Sequence, residues 1–337
     1  SPALVIKTFK NYFKKHPNDL FDTFEATSVN AASIGQVHKA FKDGKKLAVK
    51  IQYPGVADSI KSDLSLVKPI AIKMFNITQK DSAKYFQEVE DKLVEETNYD
   101  LEISQSKEIA QSCIHIPNLL FPEYYDDYSS DRIITMDFMK GEHLSVFTKY
   151  NTDKKKSNQL GQALWDFYMF QIHTLKKVHA DPHPGNFLVN EDTQLIALDF
   201  GCMKSIPNNF YTPYFELSNV NTINDPVSFK KKLYELEILT PNDTKEELAF
   251  FTNMFHELLS VFTLPFHNEI FDFSNPEFFN KIGELSESYS KNTELRKFNA
   301  NRGSKHFIYI NRTFFGLYSL MFDLKASNVK INQFKNY

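Results

Sequence analysis

Apolar positions recur at three- and four-residue steps through Leu160, Leu164, Tyr168, Ile172 and Leu175. That spacing predicts a long helix with one stripe turned toward a core, and it delivers the chain to His179. Upstream the period changes. Residues 3–15 (A-L-V-I-K-T-F-K-N-Y-F-K-K) read as a helix stopped at His16-Pro17. Ser33–Phe41 and Lys45–Gln52 are strand-like and meet around Asp43-Gly44, a hairpin signal. Tyr53-Pro54-Gly55 ends the second strand. A helical tract follows from about Val56 to Ala110, with breaks expected near Lys68-Pro69 and over Asn76–Asp81. Ile133–Phe138 is a short apolar strand, closed by Lys140-Gly141. Beyond Ser205, helices rich in Phe, Leu and Tyr alternate with Pro and Asn clusters, with no internal repeat and no heptad run. Strands with one long helical tract, then mostly helices, predict an α+β chain of two lobes, residues 1–139 and 140–337. Ligands favour the cleft between such lobes.

Composition narrows the class. The 337 residues are 42% hydrophobic and 15% aromatic, which is globular and not disordered. Thirty-two Phe against ten Gly favour packed helices over a turn-rich β fold. A formal net charge of −3 gives no case for a nucleic-acid partner. Two cysteines, Cys113 and Cys202, fit a reducing compartment without a disulfide framework, and Cys202 reads as a small buried thiol. No run approaches eighteen apolar residues, so no segment of this chain is expected to span a bilayer. The expectation is an intracellular protein, soluble or peripherally membrane-associated. The chain begins Ser1-Pro2 without a Met, which suggests trimming or a piece of something longer.

The chemistry concentrates in two motifs. H-A-D-P-H-P-G-N covers His179–Asn186, and L-D-F-G covers Leu198–Gly201. Asp181 and Asn186 have the D-x-x-x-x-N spacing of a kinase catalytic loop, and Asp199 follows Asp181 by eighteen residues. Such an arrangement supplies a base or hydroxyl-positioning group (Asp181) and two Mg2+ ligands (Asn186, Asp199) around one ATP. Pro182 and Pro184 stiffen the loop, and His183 between them reads as a bracing hydrogen bonder. Upstream, Ala48-Val49-Lys50 ends the second strand like a kinase V-A-I-K, with Lys50 suited to phosphate. Its carboxylate partner is expected from E-E-T-N-Y-D-L-E (Glu95–Glu102), read as one helix, and spacing alone leaves Glu95, Glu96 and Glu102 open. Asn30–Val37 occupies the place of the glycine-rich loop, with Ala31, Ala32, Ser33, Gly35 and Val37 near the nucleotide. Only Gly35 keeps a glycine position, so the loop is not expected to drape over phosphates in the usual way. Met136 is placed as gatekeeper, and Asp137, Phe138 and Met139 as the hinge behind adenine. Ala180 stands where many protein kinases carry Arg, and no A-P-E follows Gly201, so a peptide-substrate platform is unsupported.

Together these residues resemble the UbiB/AarF family of atypical kinases. The matching segments are A-A-S-I-G-Q-V-H-K-A (Ala31–Ala40), A-V-K-I-Q-Y-P-G-V (Ala48–Val56), E-T-N-Y-D-L-E (Glu96–Glu102) and the H-A-D-P-H-P-G-N loop. The resemblance covers residues 2–205 and, more weakly, Arg302–Tyr318. It implies a bilobal protein-kinase-like fold with a helical insertion in a small β-sheet lobe, Mg-ATP binding, and ATPase or small-molecule kinase activity. It also implies support of isoprenoid quinone (ubiquinone) or lipid metabolism at a membrane surface. The partners would be a small-molecule or lipid acceptor and quinone-biosynthesis proteins. By the same match Lys50 contacts phosphate, Glu102 is its helix partner and Glu96 sits in an E-x-D element. Asn30 and Asn98 depart from the family pattern, and its upstream K-x-G-Q helix is not in this sequence. Two other readings stand beside this one. They are a phosphotransferase of the aminoglycoside or choline kinase type, and an ATP-dependent scaffold without catalysis.

Overall fold

The structure is a computed structural model and describes residues 2–32, 34–75, 79–291 and 302–331. The chain forms two compact units. The first comprises residues 1–114, 120–141 and 196–202, and the second 115–119, 142–195 and 203–337. The division thus falls at Gly141, two residues beyond the expected boundary, and Ile196–Cys202, with the D-F-G segment, belongs to the first unit.

The first unit is built on an antiparallel sheet. Its strands are β1 (Thr23–Phe24), β2 (Asn30–Ala31), β3 (Gly35–Lys42), β4 (Lys45–Gln52) and β5 (Ile133–Asp137), in the order β1-β3-β4-β5 with β2 on the β3 edge. The β3–β4 hairpin turns at Asp43 and Gly44, both at positive φ, as the Asp-Gly pair predicts. Helix α1 (Pro2–Phe13), followed by the single turn α2 (Pro17–Leu20), buries Val5 and Phe9 against Ala40, Leu47, Val49 and Ile51 on one face of the sheet. The sheet's register sets Lys50 opposite Ile134 and Ala48 opposite Met136.

Helices α3 (Val56–Phe75), α4 (Gln79–Glu96) and α5 (Tyr99–Cys113) follow the hairpin. Two expectations are corrected here. Helix α3 continues through Pro69, which is exposed, so the ring can face solvent while the helix forgoes one hydrogen bond. The expected break over Asn76–Asp81 includes Asn76–Thr78, which lie outside the described residues. E-E-T-N-Y-D-L-E is not one helix. Glu95 and Glu96 end α4, and Asn98 starts α5 as its N-cap, its side chain accepting the Leu101 N–H at 3.0 Å. Thr97 between them gives its carbonyl to Gln52 and Arg132, both at 3.0 Å, which pins the junction to the sheet. Asn and Asp cap helices about equally well, so the Asn98 departure from the family pattern keeps the local structure.

In the second unit β6 (Glu142–His143), α6 (Leu144–Tyr150) and α7 (Lys154–Phe170) precede β7 (Lys177–His179). The apolar stripe read from Leu160 to Leu175 is buried at Leu160, Leu164, Tyr168 and Ile172. The last stretch, Gln171–Leu175, widens into a π-helical turn and stops at Lys176, whose φ is 52°. Strand β8 (Phe187–Val189) pairs with β6, and β9 (Met203–Ser205) pairs with β7. Among the described residues the remainder is mainly helical, from α8 (Asn208–Glu216), α9 (Val220–Asn224), α10 (Pro226–Glu235) and α11 (Lys245–Phe262) to α12 (Pro276–Lys291) and α13 (Lys305–Asp323), with one short strand pair, Ile270–Phe271 against Val329–Lys330. Its many Phe are mainly core, with Phe229, Phe251, Phe273 and Phe314 nearly inaccessible. A buried pair ties the segment before α13 to α11: Arg302 reaches Asp243 at 2.6 Å and lies over the Phe251 ring. Among the described residues no helix is long and apolar enough to cross a membrane. Cys113 is buried and Cys202 only half-buried, a smaller burial than its sequence context suggests.

Candidate functional site

In the first unit, three charged side chains meet. Lys50 Nζ donates to Glu102 Oε1 at 2.7 Å and lies 3.6 Å from Asp199 Oδ2. Strand β4 supplies Lys50, the first turn of α5 supplies Glu102, and the segment returning at 196–202 supplies Asp199. Of the three acidic candidates, the pairing with Lys50 is made by Glu102, because the break at Asn98 restarts the helix with Glu102 on its inner face. The pair is about 90% buried on both sides, while Asp199 is 40% exposed. Burial is the larger influence on Glu102 and pushes its carboxyl up from 4.5 to about 7, against the pull of Lys50. Burial alone would lower the Lys50 ammonium, but Asp199 and then Glu102 outweigh it and hold it well above its ordinary value. Asp199 Oδ1 accepts the Gly201 N–H at 2.9 Å, which fixes the carboxylate's rotation.

The loop over this cluster is stitched to itself. Ala32 N–H donates to the Gly35 carbonyl at 2.9 Å and Gly35 N–H to the Ala32 carbonyl at 3.4 Å, while Ala31 pairs with Gln36 and Val37 faces Lys50 across the hairpin. Two amides that a glycine-rich loop would offer to phosphate are thus used within the turn. Ser33, also a candidate, lies outside the described residues. Gly35 has a packing reason to be glycine: a Cβ there would overlap the Ile51 carbonyl and stand 3.1 Å from the Tyr99 hydroxyl. At the other side of the sheet, the Asp137 N–H donates to Glu123 O at 2.9 Å and the Phe138 N–H to Lys46 O at 3.0 Å. Of these hinge amides, Met139's is the one without a backbone partner among the described residues.

In the second unit, Gln171 of the π-helical turn prepares the catalytic-type loop. Its Oε1 accepts the His179 N–H at 2.9 Å and its Nε2 donates to Phe167 O at 3.2 Å. Within the loop, His183 Nδ1 accepts the Gly185 N–H at 3.1 Å, so His183 braces the turn. Asn186 Nδ2 donates to the Asp181 carbonyl at 3.2 Å, which sets the distance between those two residues. Sequence reasoning missed the contact at the loop's head. Arg312 of α13 donates to Asp181 Oδ1 at 3.2 Å, with both side chains about half exposed. An exposed pair of this kind is worth about 0–1 kcal/mol, so it orients Asp181 more than it stabilises the fold. One turn further along α13, Gly316 meets Pro182: a Cβ would overlap the proline ring and stand 3.1 Å from its carbonyl. The signal was present only as the N-R-T-F-F-G run, whose Arg and Gly four residues apart share a helix face.

Gly316→Ala is accordingly expected to destabilise the chain by about 1–3 kcal/mol, the usual cost of overpacking. Urea unfolding measures it, and an unchanged midpoint would mean that helix and loop part freely. A separate cleft of about 910 Å³ in this unit, lined by Leu144, Leu320 and Phe322 among others, touches the loop only at Pro184. It contains neither Asp181 nor Asn186.

A family model for the ABC1 atypical kinase-like domain matches residues 1–231. The chloroplastic protein Activity of BC1 complex kinase 8 of Arabidopsis thaliana is 29% identical over 258 residues, 72% of this chain and 34% of that protein. The probable serine/threonine-protein kinase abkB of Dictyostelium discoideum is 30% identical over 291 residues, 79% of this chain and 42% of its own length. The mitochondrial atypical kinase COQ8 of Saccharomyces cerevisiae is 29% identical over 269 residues, with coverages of 76% and 51%. The chain therefore spans about a third to a half of the curated relatives it matches. Among solved structures, the Rv3197–erythromycin complex from Mycobacterium tuberculosis aligns with a TM-score of 0.76 at 19% identity, over 99% of this chain and 82% of that one. That likeness is one of fold, and the fold is α+β and protein-kinase-like.

Proposed function

The chain belongs to the ABC1 (UbiB/AarF) family of atypical kinases, and from that premise we propose that it binds Mg-ATP and acts as an atypical kinase or ATPase supporting isoprenoid quinone or lipid metabolism. The observation that carries this reading is the buried Lys50–Glu102 pair with Asp199 beside it. A buried ion pair seldom stabilises a fold more than apolar packing would, so a cation held there suits a task other than stability. In the proposed roles, Lys50 meets the phosphates, Glu102 holds Lys50, and Asp181 positions or deprotonates the attacking hydroxyl. Met136 and the Asp137–Met139 backbone stand at adenine, with the Met139 amide as the available donor.

Mg2+ takes hard oxygen ligands and keeps most of its shell for water and phosphate, so it asks for few protein groups. The Asp199 carboxylate fits that demand, and so does the Asn186 amide oxygen, since the Asn186 nitrogen is already engaged with Asp181. A Mg2+ ion held by either group would neutralise phosphate charge. Peptide phosphorylation is not part of this reading, because the Ala32 and Gly35 amides are committed to each other and Ala180 and the missing A-P-E offer no peptide platform.

Thermal unfolding with Mg-ATP tests the proposal. At a hundredfold excess over its dissociation constant the nucleotide should stabilise the chain by about 2.7 kcal/mol. Asp199→Asn should lose most of that shift. Equal melting curves with and without Mg-ATP for the parent would remove the reading.

A further inference from the structure

Tyr99 is the first residue of α5, fully buried, and its ring lies 5.0 Å from Lys50 Nζ. It belongs to an apolar cluster with Ile103, Tyr124 and Ile134, against which Ile34 and Met136 pack. The cluster therefore joins α5 to the alanine-rich loop and to the gatekeeper strand. The ring's position over the ammonium is a cation–π contact that helps hold Lys50 beside Glu102. Its hydroxyl is the unexplained part. Among the described residues it has no hydrogen-bond partner, although it is buried and abuts Gly35, where a Cβ would stand 3.1 Å from it. A phenylalanine would fill the same space without leaving a buried polar group unpaired.

We infer that Tyr99 is a positioning residue for the nucleotide, whose hydroxyl gains its hydrogen bond when nucleotide binds. This rests on the proposed Mg-ATP site. The chemistry is specific. The hydroxyl can donate to a backbone carbonyl, and β3 begins beside it at Gly35. A small displacement of that strand end on nucleotide binding would bring the second lone pair of the Gly35 or Ile51 carbonyl, each already accepting one bond or laddered, within reach of the hydroxyl. Burial pushes the Tyr99 phenol above its ordinary range, so it stays a neutral donor throughout. Gly35 also has to be glycine for this approach, since any Cβ would hold the strand end off both the Ile51 carbonyl and the hydroxyl.

Removing the Tyr99 hydroxyl separates stability from binding, which truncating an ordinary core tyrosine does not. Tyr99→Phe keeps the ring over Lys50 and removes only the hydroxyl. Melting without nucleotide should be unchanged or higher, because a buried unpaired group is removed. Mg-ATP affinity, read by isothermal titration, should weaken by roughly three- to tenfold, the worth of one hydrogen bond. Unchanged affinity in the variant overturns the inference. So does a lowered melting temperature without nucleotide, which would mean that the hydroxyl is already paired. A parent chain that binds no Mg-ATP fails the proposed function itself, a result distinct from either.

Discussion

Asp181→Asn lowers nucleotide turnover by about 10² to 10⁴-fold and leaves Mg-ATP affinity at the parental level. The two halves of this expectation come from different parts of the molecule. In the proposed roles affinity rests mainly on the first-unit cluster of Lys50, Glu102 and Asp199, to which Asp181 does not belong. Turnover rests on a group that can take or orient a proton, and Asp181 is about half exposed at the head of its loop. The substitution is structurally quiet. Asparagine keeps an oxygen for Arg312, the Asn186 bond goes to the Asp181 backbone carbonyl and survives, and an exposed ion pair contributes at most about 1 kcal/mol. Binding titration and steady-state hydrolysis on one preparation decide it. Parental turnover in the variant would make Asp181 a structural residue and favour a scaffold without catalysis.

What could be read from the sequence was what is local or fixed by spacing. The β3–β4 hairpin, the amphipathic α7 and the D-x-x-x-x-N loop are written in runs short enough for period and turn chemistry to reveal them. The break between α4 and α5 was missed because the run Glu95–Glu102 has no Pro or Gly. The stop depends on Asn98 capping and on Gln52 and Arg132 reaching Thr97 from 45 and 35 residues away. Pro69 misled in the opposite direction, since a proline on an exposed face costs a helix less than its sequence signature suggests. The Arg312–Asp181 contact joins residues 131 apart, and no period or local motif carries such a pairing. Tyr99 was hidden for another reason: as one aromatic among many it reads as core, and only the unpaired hydroxyl beside Gly35 distinguishes it.

Lys50→Met extends the Glu102 contribution to pH dependence above pH 7, where the parent's Glu102 contribution has levelled. Folding raises the Glu102 carboxyl from 4.5 to about 7, so between those values the folded chain binds more protons than the unfolded one. The parent's contribution from Glu102 is therefore full below pH 4.5, is lost as pH rises, and is level above pH 7. Methionine fills much of the lysine's volume but removes the charge that holds the Glu102 carboxyl down, leaving the carboxylate buried with Asp199 nearby. Its titration then moves above 7, and the variant keeps losing stability where the parent has stopped. Each pH unit is worth about 1.4 kcal/mol, so the gap between variant and parent grows by up to about 2.7 kcal/mol from pH 7 to pH 9. Across pH 5–7 both chains carry the same proton difference and the gap is flat. Urea unfolding of both proteins, without nucleotide or metal, at half-unit steps measures the gap directly. Adding Glu102→Gln to the variant should abolish the growth above pH 7, because the titrating group is then absent. A gap that stays constant from pH 5 to pH 9 would mean that Glu102 remains solvated without Lys50, and that the pair is not the buried clamp its geometry describes.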